Sequence, residues 1–349
     1  MMKDKSVSMA KGVAIILMVL GHTAFADYGT RFVYMFHMPL FFFVSGYCFK
    51  SYYLNDFRTF AVKRIKGAYW PYVKYGLLFL LFHNLFVYLH IYDTENGGGF
   101  YGLRDFLVHG FYVVGTMTHA EDMLGGYWFL HTYFIASFVF FLTVWVSRNR
   151  MGRMLLGAGL LLVVCSVMLF FGSHFGTLEL LAAFFMIAGC MYKRSDWQLE
   201  RHAYTLPIGV LLVGVGVMFW PCNMASVQYD LVAAYCFTAI VGSVMTLALA
   251  RWLLRCGANW EKALTYVGDR TLVILTWHFL SFKIVSLLII WVNGLPIVRL
   301  AEFPIMADYS RRGWWLAYLV VGILLPLTID RCCRMVKKAC CTKQEGGRD

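Results

Sequence analysis

The chain has 349 residues, of which 60% are hydrophobic and 14% charged, and it carries a net charge of +12. So large an apolar share exceeds what a soluble core can bury, so lipid must cover the remainder and a soluble globular domain is excluded. The positive charge is divided among short segments beside apolar stretches rather than gathered on one face, which argues for membrane topology and against a nucleic-acid partner.

Taken in chain order, ten apolar stretches are predicted as membrane-spanning helices, at 7–26, 32–50, 69–91, 124–146, 154–172, 175–192, 204–220, 231–252, 267–292 and 313–330. Each approaches the length of about 20 residues that crosses a hydrocarbon core of about 30 Å. The expected fold class is all-α: one polytopic membrane domain over residues 1–330, followed by a basic cytoplasmic tail, 331–349. The first stretch has a basic flank, lacks a small-residue cleavage pattern and is followed directly by Asp27-Tyr28, so it reads as a retained helix rather than a signal peptide. Within it Lys11 and His22 are eleven positions apart, close to three helical turns, and share one face at a separation of roughly 16 Å.

The second stretch holds the run Phe36-His37-Met38-Pro39 through Ser45-Gly46-Tyr47. Pro39 is expected to kink its helix and Ser45-Gly46 to admit a neighbour closely. Running inward, this stretch brings His37 to about the depth of His22. The next loop carries Lys63-Arg64-Ile65-Lys66 ahead of Trp70-Pro71-Tyr72, and Gly97-Gly98-Gly99 marks a flexible point in an outer loop. Trp128 and His131 open the fourth stretch, Glu179 lies a few residues into the sixth, and His278 and Lys283 sit in the ninth.

Orientation follows from the basic residues. Lys3 and Lys5, Arg58 to Lys66, Arg148 to Arg153, Lys193 to Arg201, Arg251 to Lys262 and the cations from Arg331 onward fall on one side if there are ten spans. The opposite loops hold Arg31, Arg104, Arg299, Arg311 and Arg312, and one of them carries Asp93, Glu95, Asp105, Glu121 and Asp122. The positive-inside rule therefore places both termini in the cytoplasm. The tail pairs Cys332-Cys333 and Cys340-Cys341 fall in that reducing compartment, so no structural disulfide is expected, and their spacing is not a standard zinc pattern, so no metal is expected either.

An ionisable side chain inside a span costs at least about 2.5 kcal/mol at the helix centre, so each one calls for an explanation. His22, His37, Glu179, Trp128 and His131 fall at one depth on different helices, as a buried proton-transfer site requires. The plainer reading stands beside it. A buried His also serves to hold two helices together, Glu179 can be a paired structural acid, Trp128 an interface anchor, and Lys283 an outer-end snorkeller. The Lys63–Lys66 cluster is either a lipid-headgroup contact or a site for cofactor phosphates beside an aromatic wall.

At these residues the chain resembles the acyltransferase-3 family of membrane-bound acyltransferases, in particular its single-domain members similar to fucose acetylases. The resemblance rests on Lys11 through Gly21-His22, the Phe36 to Tyr47 run, the basic segment leading to Trp70-Pro71-Tyr72, and Tyr127-Trp128-Phe129-Leu130. It continues in Gly189-Cys190-Met191-Tyr192-Lys193 after Glu179, and in Gly268-Asp269-Arg270-Thr271-Leu272 leading into His278. These segments follow the family's order over most of the chain. Lys11 takes the place of an Arg in the family's Arg, ten residues, His motif, and Lys63 and Lys66 take the places of two Arg in its basic motif. Lysine keeps the charge and loses the bidentate fork. The sequence shows no appended extracytoplasmic hydrolase-like domain of the kind some members carry.

The resemblance implies transfer of an acyl group, usually acetyl, from cytosolic acetyl-CoA or another acyl-CoA to a hydroxyl of a cell-surface glycan or sugar precursor, lipid-linked or not, in a bacterial inner membrane. It makes His22 the catalytic general base, or the carrier of a transient acyl group in a two-step transfer. Lys11, Lys63, Arg64 and Lys66 become the coenzyme contacts, and His37, Trp128, Glu179 and His278 supporting or sugar-binding residues. With donor cations at the inner face and His22 in the outer third, donor and acceptor are expected from opposite sides. The competing classes are a saccharide exporter or proton-coupled transporter, suggested by buried charges and Pro39, and a non-catalytic scaffold.

Overall fold

The computed structural model describes residues 4–93 and 99–345, with side chains as far as Val336. Gly97 and Gly98, and the side chains of Cys340 and Cys341, lie outside the described residues. What is described is all-helical, with no strand. Helix α1 (Lys5–Gly21) starts at Asp4, whose carboxylate accepts from the Ser6 amide at 3.0 Å and satisfies one of the open donors of the first turn. It ends where the His22 amide falls back on the carbonyls of Met18 and Val19 and Ala24 turns to a positive φ of 50°.

The expected single span 32–50 is instead two helices, α2 (Asp27–Tyr34) and α3 (His37–Tyr47). The break at Met35-Phe36 has a local cause. Pro39 has no N–H for the Met35 carbonyl and its ring crowds that carbonyl, so a helix cannot run through; Pro39 therefore sits in the first turn of α3, where a missing donor costs nothing. The basic segment also differs from expectation, since it is helical rather than a loop. Helix α4 (Phe57–Arg64), capped by Asp56 on the Thr59 amide at 3.0 Å, passes through a wide π-type turn, Ile65–Tyr69, into α5 (Trp70–Leu81) and α6 (His83–Tyr88). Pro71 cannot donate to the Gly67 carbonyl, and the wide turn ahead of it absorbs the missing bond.

Helix α7 (Leu103–Gly115) lies in what reads from sequence as an outer loop; at thirteen residues it exposes Leu103, Leu107 and Phe111 along one side. There follow α8 (Trp128–Val146), led in by a tight turn from Asp122, then α9 (Met151–Phe170), α10 (Thr177–Arg194), α11 (Thr205–Phe219) and α12 (Val232–Arg255). Helix α13 (Ala258–Gly268) is a separate amphipathic segment ahead of α14 (Thr271–Asn293), so the ninth helix starts at Thr271 and not at 267. A short α15 (Ala307–Tyr309) and a second wide turn lead into α16 (Trp315–Glu345), which continues past residue 330 without a break.

Among the described residues, five helical runs are long and apolar enough to cross a membrane: Asp122–Val146, Met151–Phe170, Val232–Arg255, Thr271–Asn293 and Ala307–Val336. On α9, Leu155, Leu156, Leu160 and Val163 are exposed, an arrangement that only lipid makes stable. The protein is an integral membrane protein.

Helix α1 is the hub. It packs on α3, α12, α13, α14 and α16, with Met9, Ala10, Ala14 and Val19 fully buried. Two crossings bring backbones into contact. A Cβ on Gly46 of α3 would strike the Met186 carbonyl of α10, and one on Gly189 would strike the Phe43 carbonyl, so α3 and α10 meet main chain to main chain. Gly12 and Gly268 do the same for α1 and α13, beside the ion pair Lys5–Glu261 at 2.6 Å.

Candidate active site

Because α1 is central, its two unusual polar residues face the interior. Lys11 lines a cavity of about 430 Å³ together with Lys63 and Arg64 from α4. This end of the molecule also holds Lys5, Lys193 and Arg251 and is the basic end. Lys63 Nζ donates to the hydroxyls of Tyr53, at 2.6 Å, and Tyr52, at 3.3 Å. The Arg64 guanidinium lies over the rings of Phe60 and Tyr133, 4.8 and 5.2 Å from their centroids, and donates to the Tyr133 hydroxyl. Ser45 Oγ sits 3.1 Å from that same hydroxyl, which ties α3 to α8 at the cavity wall. From these cations the cavity runs along apolar walls to Met18, Met38, Leu130 and Leu275.

One turn beyond Met18 on α1 is His22. Its ring stands 5.6 Å from the His278 ring at an interplanar angle of 30°, and 5.0 Å from Phe279. On its other side Tyr34 is 6.4 Å away, and Tyr34 in turn stacks on His37 at 5.2 Å. The end of α1 is held in place, since the Tyr34 hydroxyl donates to the Gly21 carbonyl at 3.0 Å and Ser310 Oγ donates to the Thr23 carbonyl.

Hydrogen bonds set the tautomers of the two flanking rings. His37 Nδ1 is 2.9 Å from the Val33 carbonyl, and His278 Nδ1 is 3.0 Å from the carbonyls of both Ile274 and Leu275. A carbonyl only accepts, so Nδ1 carries the proton in each, and in the neutral ring Nε2 is a bare acceptor. His278 is fully buried and its Nε2 has no partner among the described residues. A buried acceptor left open costs about 1–3 kcal/mol, so its persistence beside His22 suits a site that receives a donor from elsewhere. A second cavity, of about 620 Å³, opens on His22 from the end opposite the cations, between α2 and the segment around Phe303 and Pro304.

Of the residues singled out in the sequence, the structure gathers Lys11, Lys63 and Arg64 at one cavity and His22, His37 and His278 around one ring cluster. It separates the others. Lys66 is exposed and does not line the basic cavity, because the wide turn at Ile65 rotates it away from Arg64. Glu179 is committed to α8, accepting from Thr132 Oγ1 at 3.0 Å with His131 Nε2 3.7 Å away, while His131 Nδ1 faces the Met117 carbonyl. Trp128 is half-buried at the start of α8, and neither it nor Glu179 lines either cavity. Lys283 is buried and donates to the carbonyls of Leu300 and Glu302, each at 2.8 Å, so it ties down the segment after α14.

Sequence reasoning missed Tyr34, Tyr53 and Tyr133. In a chain with 21 tyrosines no one of them stands out, and only Tyr34, three positions ahead of His37, carried a usable spacing. Among the described residues, no group of three or more His, Cys, Asp or Glu is arranged to hold a metal ion.

The sequence as a whole has its counterpart in a family. The family model described as an acyltransferase domain, that of acyltransferase-3, matches residues 4–331. No curated protein and no solved structure matches the chain. The match covers α1 with His22, the basic helix α4, the α3–α10 crossing and α14 with His278, so the chain belongs to the acyltransferase-3 family and is a membrane acyltransferase.

Proposed function

We propose that this acyltransferase is an O-acetyltransferase of the bacterial inner membrane, moving acetyl from cytosolic acetyl-CoA to a hydroxyl of a cell-surface glycan or sugar precursor. The observation that carries the reading is the alignment of three cations, an apolar passage and His22 along one face of the central helix. With the basic end in the cytoplasm, as the positive-inside rule requires, Lys11, Lys63 and Arg64 would take the coenzyme phosphates. The passage past Leu130 and Met38 is apolar, as a thin neutral pantetheine arm needs. The thioester would then stand at Met18, one helical turn below His22.

The chemistry asked of the chain is modest. A thioester is already activated, whereas a sugar hydroxyl is a poor nucleophile until its proton is taken. A neutral His22 accepts that proton as the hydroxyl oxygen bonds to the acyl carbon; the C–S bond breaks and the proton passes to the departing coenzyme thiolate. The His278 ring stacked beside His22 would hold that imidazole in position, with its own Nε2 left open for a donor that arrives during the reaction. Transfer through an acyl-histidine is the two-step form of the same reaction and differs in one observable, label on the enzyme without acceptor.

The test is transfer of radiolabelled acetyl from acetyl-CoA to membrane glycans by wild type and His22→Ala at matched expression. Label is expected on glycan with wild type and at least about a hundredfold less with the variant, the scale of a lost general base. Glycan labelling that His22→Ala leaves intact overturns the assignment.

A further inference from the structure

The cavity opposite the cations holds polar groups that donor binding and proton transfer leave unused. Resting on the acyl-transfer reading above, we infer that it is the acceptor subsite, and that Asp27, Thr30 and Arg31 of α2 recognise a neutral, polyhydroxylated ring presented from the extracytoplasmic side. Two observations place it. His22 lines this cavity, so a hydroxyl bound there lies against the proposed base. The two cavities are divided by about one helical turn, since on α1 Met18 lines the basic cavity and His22 this one, a rise of about 6 Å. A ligand in this cavity therefore lies about one helical turn from the inner end of the basic cavity, with His22 against it.

The lining states the ligand's chemistry. Asp27 and Arg31 are one turn apart on α2 and share a face, presenting an acceptor and a fork of donors of opposite charge. Together they offer hydrogen-bonding groups of both senses, which suits a ring of alternating hydroxyl donors and acceptors. The Asp27 side chain is 83% exposed and its contact with Arg311 is long, at 3.9 Å, so its oxygens remain open to hydroxyl donors. Thr30 also lines the cavity; its Oγ1 is shielded and has no hydrogen-bond partner among the described residues, so a small turn of the side chain toward the cavity would give it one in a bound hydroxyl. Phe303 supplies an apolar wall for the ring's C–H face.

The experiment uses the full-length protein in sealed right-side-out vesicles loaded with radiolabelled acetyl-CoA, with membrane glycan as acceptor. A membrane-impermeant cationic thiol reagent is applied to Asp27→Cys, to Gln228→Cys on the same side outside the cavity, and to wild type, whose own cysteines set the background. Treatment is expected to cut glycan labelling by Asp27→Cys about tenfold or more relative to the same variant untreated, and to leave the treated-to-untreated ratio of Gln228→Cys near that of wild type. Methyl glycosides at high concentration should slow the modification of Asp27→Cys. A second variant, Thr30→Val, should raise the KM for glycan about five- to tenfold with the KM for acetyl-CoA unchanged. Normal labelling by wild type with no effect of treatment on Asp27→Cys, or a Thr30→Val change confined to the donor KM, overturns the subsite alone. No labelling by wild type with any glycan overturns the acyl-transfer reading and the subsite with it.

Discussion

His278 is the residue whose surroundings say most about its task. Its Nδ1 is spent on two carbonyls of its own helix, its ring lies 3.9 Å from Phe279 and 5.6 Å from His22, and its Nε2 is buried and open. A ring kept only to join helices would direct that nitrogen at a neighbouring helix, so a donor that arrives during the reaction is the better account. His278→Ala should lower kcat by about ten- to a hundredfold, the worth of one positioning hydrogen bond, and leave the KM for acetyl-CoA within about twofold. His278→Gln, which keeps an acceptor, should recover part of kcat; His278→Leu, which keeps only bulk, should not. Steady-state kinetics on the purified protein in nanodiscs reads all three. Equal losses in the Gln and Leu variants, or losses that track unfolding, would return His278 to a purely structural role. The sequence could point to His278 by the cost of an imidazole in a span, but its fixed tautomer depends on which carbonyls the helix offers, which only three dimensions show.

At the scale of elements, the site depends on how closely α3 can approach α10, because α3 carries both His37 and the Met38 wall of the basic cavity. Gly46 sets that approach. Its missing Cβ would overlap the Met186 carbonyl, a main-chain atom inside a helix that cannot step aside, whereas a Cβ on Gly159 of α9 would meet nothing within 4 Å. Gly46→Ala should therefore destabilise the protein by about 2–3 kcal/mol through overpacking, while Gly159→Ala should be neutral or raise stability by up to about 1 kcal/mol through the helix preference of alanine. Thermal denaturation in detergent, followed by loss of monodisperse protein, separates the two; similar midpoints would mean that α3 and α10 do not meet as described. Small residues in a span announce close packing, so Ser45-Gly46 was legible in the sequence. The breaks were not. Pro39 as a helix start instead of a kink, the wide turn at Ile65–Tyr69 and the separate helix α13 depend on whether neighbours leave room for an uninterrupted helix. The wide turn also explains why Lys66, grouped with Lys63 and Arg64 in the sequence, does not line the cavity that those two share.

For the whole molecule, composition alone pointed to the membrane class, and the basic residues give an expected orientation on which the proposed two-sided reaction rests. The cations of the basic cavity and the open side of His22 lie at opposite ends of α1, and nothing in the chemistry requires either substrate to cross. On the proposed reading only the acyl group would have to travel, over about one helical turn, from a thioester at Met18 to a hydroxyl at His22. Inside-out vesicles supplied with external acetyl-CoA expose the basic end to the medium and enclose the other. An acceptor sealed in the lumen should be acetylated at least about tenfold faster than the same acceptor confined to the medium, because only the luminal one reaches the cavity that contains His22. Equal rates would mean that the acceptor shares the donor's cavity and that the opening between α2 and Phe303 serves another purpose. No transfer from external acetyl-CoA, with transfer restored when the donor is sealed inside, would reverse the orientation drawn from Lys5, Lys63, Arg251 and Arg331 and would place both termini outside.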